Sequence, residues 1–91
     1  IGNGEKYGVK IRYVVEPEPL GTAGAVKYAE EFINRTTVIL NGDNLINLDI
    51  AAVAEYHQSQ NAAATIVLQR LGNPLGYGLV EIDAKNRVLN F

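Results

Sequence analysis

The spacing of apolar positions predicts three strands along the chain. Residues 9–16 alternate apolar and polar side chains, which is typical of a strand with one buried face. Within residues 36–41 the first five are β-branched or apolar, as in a strand that is buried on both faces. Residues 63–70 form the third predicted strand. The first run ends at Pro17, where a proline cannot donate a hydrogen bond to a ladder.

The segments between these strands have apolar side chains at helical spacing, which predicts two helices. Gly21 and Thr22 open the first predicted helix, with Thr22 as its N-cap. Asp49 is the predicted cap of a second helix, whose apolar face includes His57. We expect this histidine to be a buried, hydrogen-bonded structural residue, because it shares its face with aliphatic side chains.

The last part of the chain predicts a hairpin. Residues 77–82 and 87–91 are extended runs, joined by the turn sequence Asp83-Ala84-Lys85-Asn86. The element order is therefore β-α-β-α-β followed by a hairpin. Strands that alternate with helices favour an α/β fold with a layered, parallel sheet and right-handed crossovers.

Composition narrows the function classes. The 91 residues are 47% hydrophobic and carry a net charge of −2, with no strongly basic run, so we expect neither a nucleic-acid nor a membrane partner. The chain has no cysteine, which excludes a disulfide framework or a cysteine zinc site and fits a cytoplasmic protein. Because the chain starts at Ile1 and not at a methionine, residues 1–91 are interpreted as an internal segment.

Three segments follow the predicted parallel strands, where ligands bind in such sheets. Gly21, in the first, would let a ligand approach the backbone closely, although a tight turn explains it as well. Asp43, in the second, could hold Mg²⁺ through a carboxylate oxygen, or could only stabilise a turn. Tyr77 and Gly78, in the third, could admit a sugar ring or form a turn between strands.

The segment Glu16-Pro-Glu-Pro-Leu-Gly-Thr-Ala-Gly-Ala25 resembles the sugar-1-phosphate nucleotidyltransferases. The similarity continues in order through Val38-Ile-Leu-Asn-Gly-Asp43 and Tyr77-Gly-Leu-Val-Glu81. It implies a three-layer, Rossmann-like parallel sheet of the nucleotide-diphospho-sugar transferase type. It also implies transfer of a nucleotidyl group from a nucleoside triphosphate to a sugar 1-phosphate, with Mg²⁺ as the cofactor.

The resemblance assigns roles to seven residues. They are Glu16, Leu20, Gly21 and Thr22 for the nucleotide, Tyr77 and Gly78 for the sugar, and Asp43 as the catalytic ligand of Mg²⁺. The Glu16 carboxylate only accepts hydrogen bonds, and guanine offers donors at N1 and N2. The expected base is therefore guanine.

The chain departs from the family pattern at two places. The Gly-rich, Arg-containing phosphate loop with its lysine does not occur, and neither does the Glu-Lys-Pro that usually follows the hairpin. The resemblance therefore implies that residues 1–91 are one partial catalytic domain, truncated at both ends. We expect little transferase activity from these 91 residues alone. The alternatives are a non-catalytic α/β module that binds a nucleotide or sugar, and a purely structural fragment.

Overall fold

The computed structural model describes residues 1–91, which form two compact units, Ile1–Asn47 and Leu48–Phe91. The first unit contains a 3-10 turn at Glu5–Tyr7, helix α1 at Gly21–Tyr28 and a 3-10 turn at Glu30–Phe32. The second contains helix α2 at Ile50–Ser59 and the strands β1, Glu81–Ile82, and β2, Val88–Asn90. Neither helix has the length and apolar character that crossing a membrane requires.

Helix α1 begins at the predicted place, but the predicted cap is wrong. Leu20 occupies the N-cap position and has no side-chain oxygen to cap the helix. Thr22 is the second residue of α1. The reason lies in Gly21, whose φ of 72° is left-handed. Glycine adopts this conformation freely, and the helix begins at Gly21. Thr22 therefore lies inside the helix and not at its N-cap.

Helix α2 begins as the sequence predicts. Asp49 is extended, and its Oδ1 accepts a hydrogen bond of 3.0 Å from the Ala52 N–H. Such a cap stabilises a helix by about 1 kcal/mol. His57, on the third turn, is half-buried, and its Nδ1 lies 2.8 Å from Thr65 Oγ1. The predicted hydrogen bond of His57 is thus confirmed, and the predicted full burial is wrong.

The C-terminal hairpin is also confirmed, with shorter strands than predicted. Strands β1 and β2 are antiparallel, with Glu81 opposite Asn90 and Ile82 opposite Val88. The turn is closed by hydrogen bonds from the Asp83 N–H to the Arg87 carbonyl, 2.9 Å, and from the Asn86 N–H to the Asp83 carbonyl, 3.0 Å.

The three segments predicted as parallel strands, 9–16, 36–41 and 63–70, form no ladder in the structure. Val38, Ile39 and Leu40 are 51–56% exposed, and no hydrophobic side chain of the chain is fully buried. The burial expected at 36–40 is therefore absent. A parallel strand is buried only when strands lie on both of its edges and helices cover its faces. The parallel, three-layer sheet stays a prediction.

Candidate functional site

The loop between residues 16 and 20 is closed by a side chain. Glu16 Oε2 accepts a hydrogen bond of 2.9 Å from the Leu20 N–H, and both residues are half-buried. Pro17 and Pro19 have no N–H, so the loop offers few donors. The Glu16 carboxylate thus holds the backbone just before α1. The family resemblance implies a ligand contact for this side chain, and its contact with the loop was not predicted.

The structure requires a glycine at position 21 because of its backbone conformation and not because of its small size. Its φ of 72° lies in the region that favours glycine, while a Cβ built on it would meet no atom within 4 Å. Open space therefore lies beside the first backbone groups of α1. The N–H groups of a first helical turn have no partner inside the helix, so they can bind an acceptor or an anion that enters this space.

Gly24 is required by crowding instead. A Cβ at this position would lie 2.7 Å from the Leu20 Cβ, closer than real Cβ contacts. Leu20 therefore packs against the second turn of α1 only because residue 24 has no side chain. This contact was not predicted, and its signal in the sequence is the repeated glycine in Gly21-Thr-Ala-Gly24.

Asp43 lies in the predicted turn, with an exposed side chain. The Asn44 N–H approaches the Asn41 carbonyl at 3.4 Å, which closes residues 41–44 by a backbone contact. The aspartates whose carboxylates accept hydrogen bonds are Asp49 and Asp83, and the two ion pairs of the chain also lie elsewhere. The turn therefore does not use the Asp43 carboxylate, which stays available for a ligand.

Asp43 would be the single protein carboxylate at a Mg²⁺ site. No group of three or more acidic or histidine side chains is gathered anywhere in the chain. Mg²⁺ is commonly bound by one or two carboxylates together with waters and substrate phosphates. A single free carboxylate fits that arrangement, and the other oxygens would come from the substrate.

Tyr77 and Gly78 follow a tight turn in the second unit. The Tyr77 N–H donates to the Pro74 carbonyl at 3.0 Å, and Gly76 has a φ of 86°. Left-handed glycine at the third position is typical of a type II turn. Gly78 has neither a left-handed φ nor a neighbour that a Cβ would meet. The turn thus explains Gly76 and leaves Gly78, beside the 67% exposed Tyr77, without a structural requirement.

The predicted nucleotide residues, Glu16 to Thr22, therefore share one junction between a loop and α1. Asp43 lies in a separate turn of the same unit, and Tyr77 and Gly78 belong to the second unit. Two apolar grooves of the second unit, one of about 570 Å³ between α2 and the hairpin, contain none of the predicted site residues.

Several cations are engaged within the chain. The Arg12 guanidinium lies 4.9 Å from the centre of the Phe32 ring, and Lys27 forms an ion pair with Glu30. Arg87 forms an ion pair with Asp83. The predicted site residues themselves include no cation, so phosphate charge at this site must be offset by other groups.

Comparison with known proteins gives related sequences over nearly the whole chain. The chain is 38% identical over 91 residues to a mannose-1-phosphate guanylyltransferase of Mycobacterium tuberculosis, which covers 99% of the chain and 25% of that protein. It is 44% identical over 79 residues to a mannose-1-phosphate guanyltransferase of Yarrowia lipolytica, covering 84% of the chain and 22% of that protein.

A more distant relative acts on another sugar phosphate by name. This D-glycero-alpha-D-manno-heptose 1-phosphate guanylyltransferase of Campylobacter jejuni is 31% identical over 87 residues, which cover 96% of the chain and 38% of that protein. The chain thus spans about a quarter to two fifths of the length of these relatives. No solved structure matches it significantly.

The profile of a protein family described as "Nucleotidyl transferase" matches residues 1–91, the whole chain. The chain belongs to the nucleotidyl transferase family, the sugar-1-phosphate nucleotidyltransferases, whose domain has an α/β fold.

Proposed function

We propose that the complete protein containing this chain transfers a nucleotidyl group from a nucleoside triphosphate to a sugar 1-phosphate. The observation that carries the proposal is the family match over all 91 residues, together with three guanylyltransferases among the relatives. In this reaction a phosphate oxygen of the sugar phosphate attacks the α-phosphorus. The bond between the α-phosphorus and the bridging oxygen breaks, and pyrophosphate leaves.

The junction before α1 is the proposed nucleotide site. Gly21 and Thr22 contribute backbone at the start of the helix, next to open space. Leu20 and Glu16 form the loop that leads to it. A helix N-terminus favours acceptors and negative charge, which a nucleoside triphosphate supplies at its base and phosphates.

Asp43 is the proposed ligand of Mg²⁺, and Tyr77 with Gly78 is the proposed sugar site. The exposed, unpaired carboxylate of Asp43 supports the first assignment. When bound, Mg²⁺ would neutralise charge on the phosphates. An exposed tyrosine next to a glycine that no turn requires supports the second, because an aromatic ring and an open backbone suit a sugar ring.

We also propose that residues 9–16, 36–41 and 63–70 become parallel strands of a three-layer, Rossmann-like sheet in the complete domain. The support is the β-α-β-α-β order of the sequence and the α/β fold of the family. In that sheet the exposed apolar side chains of 38–40 would be covered. A cytoplasmic location stays a prediction.

Guanosine triphosphate is the proposed donor. The relatives that support it are guanylyltransferases by name, and a carboxylate at Glu16 can accept from guanine N1 and N2. Uracil and thymine present one N–H between two carbonyl oxygens, which a carboxylate repels. We expect kcat/KM for guanosine triphosphate to exceed that for uridine or thymidine triphosphate by roughly tenfold or more. An equal or higher value for either pyrimidine nucleotide would contradict the assignment.

The experiment for the function uses the complete enzyme. Purified protein is incubated with Mg²⁺, a panel of sugar 1-phosphates that includes mannose 1-phosphate, and each nucleoside triphosphate. We expect pyrophosphate and a nucleotide-sugar in equal amounts, and neither product when the sugar phosphate is omitted. Binding of a nucleotide without any product, across the whole panel, would favour a non-catalytic binding module.

A further inference from the structure

We propose that Glu16 is also a positioning residue, whose carboxylate closes the loop 16–20 and so fixes the backbone of Gly21 at the nucleotide site. This inference rests on the proposed function, because Gly21 matters only if a nucleotide binds there. It differs from reading the base, since the contact is made within the chain. The observed hydrogen bond runs from the Leu20 N–H to Glu16 Oε2, at 2.9 Å.

The loop has little else to hold it. Of the four residues that follow Glu16, two are prolines without an N–H, which leaves Glu18 and Leu20 as backbone donors. Leu20 is the residue next to the helix, and at the N-cap position it has no side-chain oxygen of its own. Glu16 therefore supplies, from four residues upstream, the carboxylate that the start of α1 would otherwise lack.

A second contact fixes the same residue from the other side. The Leu20 side chain packs so closely on α1 that a Cβ at Gly24 would lie 2.7 Å from the Leu20 Cβ. Leu20 is thus held through its N–H by Glu16 and through its side chain by the helix. Because the next residue is the left-handed Gly21, these two contacts determine where the backbone of Gly21 lies.

One carboxylate can serve both roles. The Leu20 N–H occupies Oε2, and Oε1 remains free to accept from a ligand. The two roles respond differently to substitution. Loss of base reading changes the preference between nucleotides, whereas loss of the loop contact weakens all nucleotides together.

The test compares Glu16→Ala with Glu16→Gln in the complete enzyme. Glutamine keeps a side-chain oxygen that accepts from the Leu20 N–H, and alanine does not. The matched control is Glu18→Ala, which removes an exposed carboxylate from the same loop. The readouts are KM and kcat for guanosine and uridine triphosphate, and hydrogen exchange of the Leu20 amide by NMR.

In Glu16→Ala we expect KM for uridine triphosphate to rise about tenfold and the Leu20 amide to exchange about tenfold faster, which is the loss of one hydrogen bond to a charged group. KM for guanosine triphosphate should rise by at least as much, because base reading is lost as well. In Glu16→Gln the Leu20 protection and the KM for uridine triphosphate should stay within about threefold of wild type, because a neutral acceptor forms a weaker bond. Glu18→Ala should change neither quantity.

Unchanged Leu20 exchange in Glu16→Ala would overturn the inference. So would a rise of KM for guanosine triphosphate alone, since that result leaves Glu16 with base reading only. Both outcomes are measured on an enzyme whose wild type turns over. They are therefore separate from failure of the proposed function, in which the wild type forms no nucleotide-sugar.

Discussion

The turns at Asp43 and Asp83 have similar sequences and different structures. Each contains an aspartate and an asparagine after an apolar run, Asn41-Gly-Asp-Asn44 in the first unit and Asp83-Ala-Lys-Asn86 in the second. Asp83 Oδ1 accepts from the Lys85 and Arg87 N–H groups, both at 2.8 Å, and Oδ2 accepts from Arg87 Nε at 2.7 Å. Asp43 has no such partner.

The difference separates a structural carboxylate from an available one. The backbone N–H of Arg87, and next its side chain, hold the pKa of Asp83 below its ordinary value. The Asp83 carboxylate forms its ion pair and hydrogen bonds within the hairpin, and its side chain is only 20% exposed. Asp43 is exposed, and its turn is closed by backbone alone. An aspartate in a turn is therefore a candidate metal ligand only where the turn does not need its oxygens.

The largest effect should follow substitution of Asp43. In the complete enzyme, Asp43→Asn keeps the shape and removes the charge proposed to hold Mg²⁺. We expect kcat/KM to fall by roughly 100-fold or more at limiting Mg²⁺, because a bound metal supplies several kcal/mol of charge stabilisation. The measurement is pyrophosphate release against Mg²⁺ concentration, with unchanged melting as the check on folding.

The matched control for that prediction is Asp83→Asn. This substitution should leave the Mg²⁺ dependence of turnover at the wild-type value, since Asp83 is engaged by the hairpin. Equal losses in both variants would remove the distinction between the two turns.

A smaller effect should appear in the pH dependence of the hairpin. The folded pKa of Asp83 is lowered from 3.8, so its contribution to stability is present above about that pH and is lost as pH falls through the folded pKa. We expect the amides of β1, β2 and their turn to lose protection from hydrogen exchange in acid below pH 3.8. In Asp83→Asn this dependence should disappear, and an unchanged profile would contradict the assignment.

The smallest effect concerns Asn86, which has a φ of 58°. Alanine there should destabilise the hairpin by about 1 kcal/mol, because the short polar side chain of asparagine compensates for the left-handed conformation by local hydrogen bonding and the alanine side chain does not. Glycine should cost little, since it adopts this conformation freely. The measurement is the free energy of unfolding of both variants in the complete enzyme, and equal values would show that this turn changes conformation.

The elements predicted correctly depend on neighbours in the sequence. Asp49 caps α2 through Ala52, three residues away, and the final hairpin closes between residues 83 and 87. The segments 9–16, 36–41 and 63–70 would need partners far along the chain. Their apolar patterns indicate strands, but a pattern alone does not supply the neighbouring strand.

The family was predicted correctly from the sequence, and the comparisons confirm it. The site residues that the family motif indicates stay predictions, and the local structure before α1 was predicted less well than the family. Thr22 was wrong as a cap because the left-handed Gly21 starts the helix earlier. The loop contact of Glu16 was missed because a carboxylate four residues before a helix, separated by two prolines, had been interpreted only as a ligand contact.

Metal binding is the most direct test of the difference between the turns at Asp43 and Asp83. Mn²⁺, which can replace Mg²⁺ at oxygen sites, is titrated by electron paramagnetic resonance into the complete enzyme with guanosine triphosphate. The measurement is repeated on Asp43→Asn and Asp83→Asn, with a nucleotide-only titration subtracted. We predict that Asp43→Asn loses the enzyme-dependent Mn²⁺ binding and that Asp83→Asn keeps it. Wild-type Mn²⁺ binding in Asp43→Asn would contradict the role assigned to that turn.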